Sequence, residues 1–223
     1  MKALYEQYRP TSFAEVAGQE EVIRRIQILA RRGLTGRVFW ITSHSGQGKT
    51  TIGRLIAAQV ANDHCTWEID AQDLSLDTLR DWEKKCEGKP LVFGQDQRRA
   101  YAFIVNEAHT LSKRVVDRLK TTLELPHVQA NSVWVFTTTI AEQAQRQLFD
   151  EAQTGGPFLS RAIELVLNHG TELELAFALR ARQIAQAEQL NGQPLEAYVR
   201  LVRDCGCNLR KVLQRIEAGE MLA

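Results

Sequence analysis

The stretch Val38-Phe-Trp-Ile-Thr-Ser-His-Ser-Gly-Gln-Gly-Lys-Thr-Thr51 decides how the rest of the chain is read. Val38 to Thr42 is a short apolar run, the pattern of a strand covered on both faces. Downstream, Ile52, Leu55, Ile56 and Val60 recur as one face of a helix. Between them, residues 43–50 take the form G-x-x-x-x-G-K-[ST], with Ser43 in place of the first glycine. Gly46 and Gly48 let the backbone curl until successive N–H groups point at one anion, assisted by the helix N-terminus behind them. Ser45, Gln47 and Thr51 complete the loop. Lys49 offers a cation to β- and γ-phosphates, and the Thr50 hydroxyl is a ligand for Mg²⁺. A chance Gly-Lys-Thr would not sit between an apolar strand and an apolar-faced helix. Ser43 costs about 1–2 kcal/mol if its position demands a positive φ.

Further apolar runs follow at Trp67–Asp70, Ala102–Val105, Val133–Phe136 and Ala162–Val166, with helical patterns between them. This alternation predicts an α/β fold of βαβ units, a three-layer sandwich on a five-stranded parallel sheet. After Asn168-His-Gly170 the strands stop. Leu173, Phe177 and Ile184, then Leu195, Tyr198, Val199 and Val202, then Leu209, Val212, Leu213 and Ile216 mark three amphipathic helices. The division expected is a core over residues 1–167 and a small three-helix unit over residues 168–223.

The 223 residues are 44% hydrophobic and 25% charged, with 28 Lys and Arg against 27 Asp and Glu. A net charge of +1 excludes a general polycation but leaves room for a local basic track. No run reaches the ~18–20 apolar residues of a membrane span, and the start lacks a secretory h-region. A cytoplasmic or nucleoid-associated protein is expected. Cys65, Cys86, Cys205 and Cys207 lack redox or zinc spacing, so neither a disulfide nor a structural metal is expected.

The third strand run ends in Asn106-Glu-Ala-His109. Acids at a strand tip beside a phosphate loop hold Mg²⁺ through water and polarise the attacking water. Here Glu107 is the candidate general base. Asn106 can accept from a metal-bound water but brings no charge.

These strings together resemble AAA+ ATPases of the clamp-loader clade, the family of bacterial DNA polymerase III γ/τ subunits and replication factor C small subunits. Tyr8-Arg-Pro10, Phe13 and Val16-Ala-Gly-Gln19 match its opening signature. Trp67-Glu-Ile-Asp-Ala71, Asp77–Arg80, Asn106–His109 and Leu119-Lys-Thr-Thr-Leu-Glu124 match later ones. The resemblance implies that Tyr8, Arg9, Pro10, Val16, Ala17 and Gly18 frame an adenine. It implies that Thr137 and Thr138, above all Thr138, sense the γ-phosphate. It also implies that Arg161, in Phe158-Leu-Ser-Arg161, enters a neighbour's site as a finger, and that Leu209 and Arg210 touch phosphates from a lid. ATP and Mg²⁺ are the cofactors it implies. Its partners would be further AAA+ subunits in a ring or spiral, a sliding clamp and primed duplex DNA. The resemblance stops at Ala223, without the family's collar domain.

Basic residues cluster at Arg24, Arg25, Arg31, Arg32 and Arg37, and again at Lys113, Arg114, Arg118 and Lys120. Such faces are often merely solvated. The family tracks duplex backbone along helices, which makes Arg80, Lys113 and Arg114 the DNA-binding candidates. The function expected is that of an ATP-binding module of a clamp-loader-like complex that couples ATP binding and hydrolysis to assembly on DNA, with hydrolysis weakened by Ser43 and Asn106 and therefore slow or partner-dependent. The alternatives are a non-hydrolysing nucleotide-binding scaffold or a AAA+ regulator of transposition or recombination.

Overall fold

A computed structural model describes residues 2–90, 98–139 and 161–222. Five strands, β1 (Val38–Ser43), β2 (Thr66–Asp70), β3 (Tyr101–Asn106), β4 (Ser132–Thr139) and β5 (Ala162–Val166), form one sheet in the order β2-β3-β4-β1-β5. All four pairings are parallel, and Val38 lies between Trp134 and Ala162. Every expected run is a strand, with ends moved by no more than three residues, the largest shift being the end of β4 at Thr139 rather than Phe136.

Side chains alternate along each strand and build a core on either face. Phe39, Ile41, Ile104 and Val135 pack under α2 (Glu20–Ala30) and α3 (Lys49–Ala58). Trp40, Phe103, Trp134 and Phe136 pack under α4 (Leu76–Cys86), α5 (Lys113–Thr122) and α6 (Pro126–Asn131). On that second face Phe103 lies 4.6 Å, centroid to centroid, from both Trp82 and Trp134. Helix starts follow from local chemistry: Ser75 and Ser112 accept from the backbone N–H three residues on, and Pro126 stands at the first position of α6.

Beyond β5, the helices α7 (Thr171–Ala187), α8 (Leu195–Asp204) and α9 (Leu209–Glu217) enclose a third core around Phe177, Tyr198, Val202 and Ile216. Leu4 from the short helix α1 (Leu4–Gln7) is buried in it. Tyr8 Oη donates to Glu188 at 2.6 Å. By packing, the beginning of the chain therefore sides with the three-helix unit. Among the described residues no helix is long and apolar enough to cross a membrane.

Candidate functional site

In an open parallel sheet, ligands bind where the strands end. Here β1, β3 and β4 end together, in Ser43, Asn106 and Thr139. The loop after β1 turns at Gly46 (φ 76°) and Gly48 (φ 100°) into α3, which places the curled backbone at the helix N-terminus, where anions are favoured. Ser43 corrects the expectation of strain. It is the last residue of β1, fully buried and without positive φ, so the position needs no glycine. Its hydroxyl donates to the His44 carbonyl at 2.9 Å.

Lys49 is 7% exposed, and its Nζ donates to the carbonyls of Ser43 (3.1 Å) and His44 (3.0 Å). Burial pushes the Lys49 ammonium below its ordinary pKa, against the pull of the Glu107 carboxylate and with a further push from Arg210. Four cations, Lys49, Arg210, Arg9 and Arg180, against the carboxylates of Glu107 and Glu15 leave the cleft in need of negative charge. A polyphosphate would supply it.

Asn106 is tied on both sides. Its Oδ1 accepts from Thr50 Oγ1 at 3.2 Å and from Thr137 Oγ1 at 3.0 Å. Its Nδ2 donates to Glu68 at 2.9 Å, and Glu68 is held by Arg54 through bonds of 2.6 and 3.0 Å. Glu107, by contrast, takes a left-handed backbone conformation (φ 50°, ψ 46°) that costs a non-glycine residue about 1–3 kcal/mol. This turn lets its side chain reach the cleft, where it accepts from Thr139 Oγ1 at 3.1 Å and lies 3.5 Å from His109 Nδ1.

The cleft runs from this loop to the three-helix unit. Tyr8, Arg9, Pro10, Val16 and Ala17 line it, as do residues 45–51, Glu107, Leu209 and Arg210. Most of the residues expected at a nucleotide are thus gathered. Four others are placed differently. Gly18 lies outside the cleft, and a Cβ there would come within 2.7 Å of Leu173. Thr138 points the other way from Thr137 and Thr139, its hydroxyl 3.2 Å from His109, because successive strand residues face opposite sides. Thr139 is therefore the threonine beside Glu107, and the period of two starting from Thr137 could have found it. Asn106 stands behind Thr50 rather than in the cleft. Arg161 begins at the opposite edge of the sheet, before β5, and pairs with Glu124. Phe158, Leu159 and Ser160 lie outside the described residues. Arg80 is exposed and bonded to Asp77, while Lys113 and Arg114 are exposed at the start of α5.

Sequence reading missed Tyr5, whose ring lies 5.5 Å from the Arg210 guanidinium, and Phe177 and Arg180 on α7, which line the cleft. It also missed Asn208. That side chain caps α9 by accepting from Lys211 N–H at 3.1 Å and lies against Gly46, whose carbonyl accepts from Leu209 N–H at 3.2 Å. The sequence Cys-Asn-Leu-Arg holds a cap signal, but nothing in it names the glycine loop as its neighbour.

These residues fit a nucleotide: the loop is curled, Lys49 faces it, and the Nε of Arg9 is buried without a hydrogen-bond partner among the described residues. The magnesium candidates Thr50 and Asn106 do meet, but both are neutral and bonded to each other. Among the described residues no cluster of His, Cys, Asp or Glu could hold an ion. A magnesium ion here would depend on the phosphates for its counter-charge.

No family model matches the chain. The DNA polymerase III subunit gamma/tau of Mycobacterium tuberculosis is 28% identical over 166 aligned positions, covering 63% of this chain and 28% of that protein. The tau subunit of Bacillus subtilis is 24% identical, covering 62% and 27%. Protein STICHEL-like 1 of Arabidopsis thaliana is 24% identical, covering 70% and 16%. The chain thus matches about a quarter or less of the length of these relatives. Among solved structures, RuvB of Thermotoga maritima superposes with a TM-score of 0.70 at 17% identity, over 94% of this chain and 64% of that one. The chain has the P-loop AAA+ fold, and in sequence it resembles the gamma/tau clamp-loader subunits of DNA polymerase III.

Proposed function

We propose that the chain binds ATP in this cleft and couples nucleotide state to assembly with other AAA+ subunits on DNA, in a cytoplasmic complex of the clamp-loader kind. One observation carries the reading: a single cleft brings Lys49, Glu107 and Arg210 together from the loop, a strand tip and the helical unit. The division into a core over residues 1–167 and a lid over 168–223 belongs to it. Tyr8, Val16 and Ala17 would flank the base, and the loop N–H groups and Lys49 would take the β- and γ-phosphates. Thr50 would hold a phosphate-borne magnesium ion, which neutralises charge on the phosphoryl oxygens. Glu107, steadied by Thr139, would orient water. Arg210 would report the γ-phosphate to the lid, and Arg161 would leave Glu124 for a neighbour's site. Arg80, Lys113 and Arg114 would meet the duplex, and a sliding clamp would be the further partner.

A second reading, a nucleotide-binding scaffold, is favoured by Asn106, whose amide is already committed to Thr50, Thr137 and Glu68. Binding of a fluorescent ATP analogue tests the shared part. We expect Lys49→Ala to weaken it at least tenfold, since a hydrogen bond to a charged group is worth about 1.5–3 kcal/mol. Equal binding by the variant would remove the cleft as the site. Phosphate release that rises only with primed duplex would favour the clamp-loader reading, and none under any condition would favour the scaffold.

A further inference from the structure

Many surface cations of this protein have acidic partners: Arg54 meets Glu68, Arg80 meets Asp77, Arg118 meets Glu83 and Arg203 meets Glu174. The outer face of α2 departs from this pattern. Arg24, Arg25, Arg31 and Arg32 are exposed, and none is ion-paired among the described residues. Glu20, one turn before Arg24, bonds instead to the Gly18 N–H at 3.1 Å. The exposed Glu21, one turn before Arg25, forms no ion pair among the described residues, which leaves the face with four cations and one acid. No Asp or Glu occurs from Val22 to Asn62, so the following strand and helix supply no counter-charge.

Val22, Ile23 and Ile26 turn into the core. At 100° per residue, the four arginines, the last two in the turn that closes α2, share the opposite face within an arc of about 120° that also holds one acid, the exposed Glu21. Ile28 lies inside that arc with two arginines on either side, and it is 54% exposed. Cations at the C-terminal end suit the helix dipole, which accounts for Arg31 and Arg32. Arg24 and Arg25, in the N-terminal half, gain nothing from it.

We propose that this face docks an acidic segment of another protein, with an apolar side chain seated on Ile28 and carboxylates on the flanking arginines. An apolar centre with an arginine rim is how protein interfaces are organised. A phosphate backbone would gain nothing from a branched aliphatic side chain in the middle of the face. A second copy of this chain is a poor match, because its own exposed apolar helix face, Leu175 and Leu179 on α7, has one exposed acid beside it, Glu172, while Glu174 is already paired with Arg203. One anchor and four cations make a small, transient, salt-sensitive contact. The nucleotide cleft plays no part in it.

Selection from a random displayed-peptide library on the full chain tests the proposal. Enriched peptides should pair acids with an apolar residue. They should bind about tenfold more weakly to Ile28→Ser and to the double variant Arg31→Glu/Arg32→Glu. Fluorescent-nucleotide binding and thermal melting, unchanged in both variants, would show that the fold and the cleft are intact, so failure here stays separate from failure of the nucleotide reading. Peptides without excess acid, or equal binding by the variants, would overturn the proposal. So would a short DNA duplex whose binding depends on the arginines but not on Ile28.

Discussion

The two walls of the cleft are built differently. The wall on the sheet is made of backbone: strand ends, two left-handed glycines and the N-terminus of α3. The wall on the helices is made of side chains, with Arg210, Phe177, Arg180 and Leu213 projecting from α7 and α9. They meet where Leu209 N–H reaches the Gly46 carbonyl and Asn208 lies on Gly46. A backbone wall shows itself in sequence as a motif, because few residues tolerate its geometry. A side-chain wall shows itself only as an amphipathic stripe that says nothing about what it faces.

Comparing Gly46 with Gly48 would break that junction selectively. Both have positive φ, so alanine at either costs about 1–2 kcal/mol in backbone strain. A Cβ on Gly48 meets open space, whereas one on Gly46 would come within 2.0 Å of Asn208 Oδ1. Displacing that cap adds about 1 kcal/mol, so Gly46→Ala should lose about 3 kcal/mol in urea unfolding and Gly48→Ala about half of that. Equal losses would mean that the helical wall is not held through Gly46.

A second test stays within the sheet wall. Asn106→Asp would place a second carboxylate against Glu68, whose oxygen is 2.9 Å from the present amide nitrogen. We expect a loss of about 2 kcal/mol at neutral pH, recovered when Glu68→Gln is added. Stability unchanged in the single variant, or not recovered in the double, would show that the Glu68–Asn106 bond is unimportant. Any gain in ATP turnover from an acid at position 106 should then be sought in the double variant.

What the sequence could and could not show follows the same division. The five strands, the glycine loop and the three amphipathic stripes were legible because periodicity and turn chemistry are local. Ser43 was misjudged because the motif alone does not show whether the first position belongs to the strand or to the turn. The resemblance points to Thr137 and Thr138, but alternation along β4 turns Thr138 toward His109 and brings Thr139 to the Glu107 side. Glu68 gave no sign of bonding to Asn106, since they sit 38 residues apart on neighbouring strands. Parallel pairing of β2 with β3 brings them together.

The helical wall can be tested by Arg210→Ala. Arg210 faces the cleft while its guanidinium lies over the Tyr5 ring, which predisposes it toward the phosphates. Removing it should weaken the ATP analogue about tenfold, and ADP by less, because the lid is read as reporting the terminal phosphate. Equal weakening for both nucleotides would place Arg210 on the inner phosphates or the base instead.

The smallest effect distinguishes the two bodies rather than their walls. Cys86 is fully buried beneath the sheet, and burial pushes its thiol up to about 11. The folded state thus keeps a proton that the unfolded chain releases near pH 9. This contribution to stability is complete below that value and is lost as pH rises through about 11. Cys86→Ala should lower stability at every pH through the lost packing, yet flatten the decline between pH 9 and 11. Cys205 and Cys207 in the helical unit are only half-buried, so an alkylating reagent at mildly alkaline pH should take them first. Simultaneous labelling of all the thiols would mean that the sheet core and the helical unit open as one.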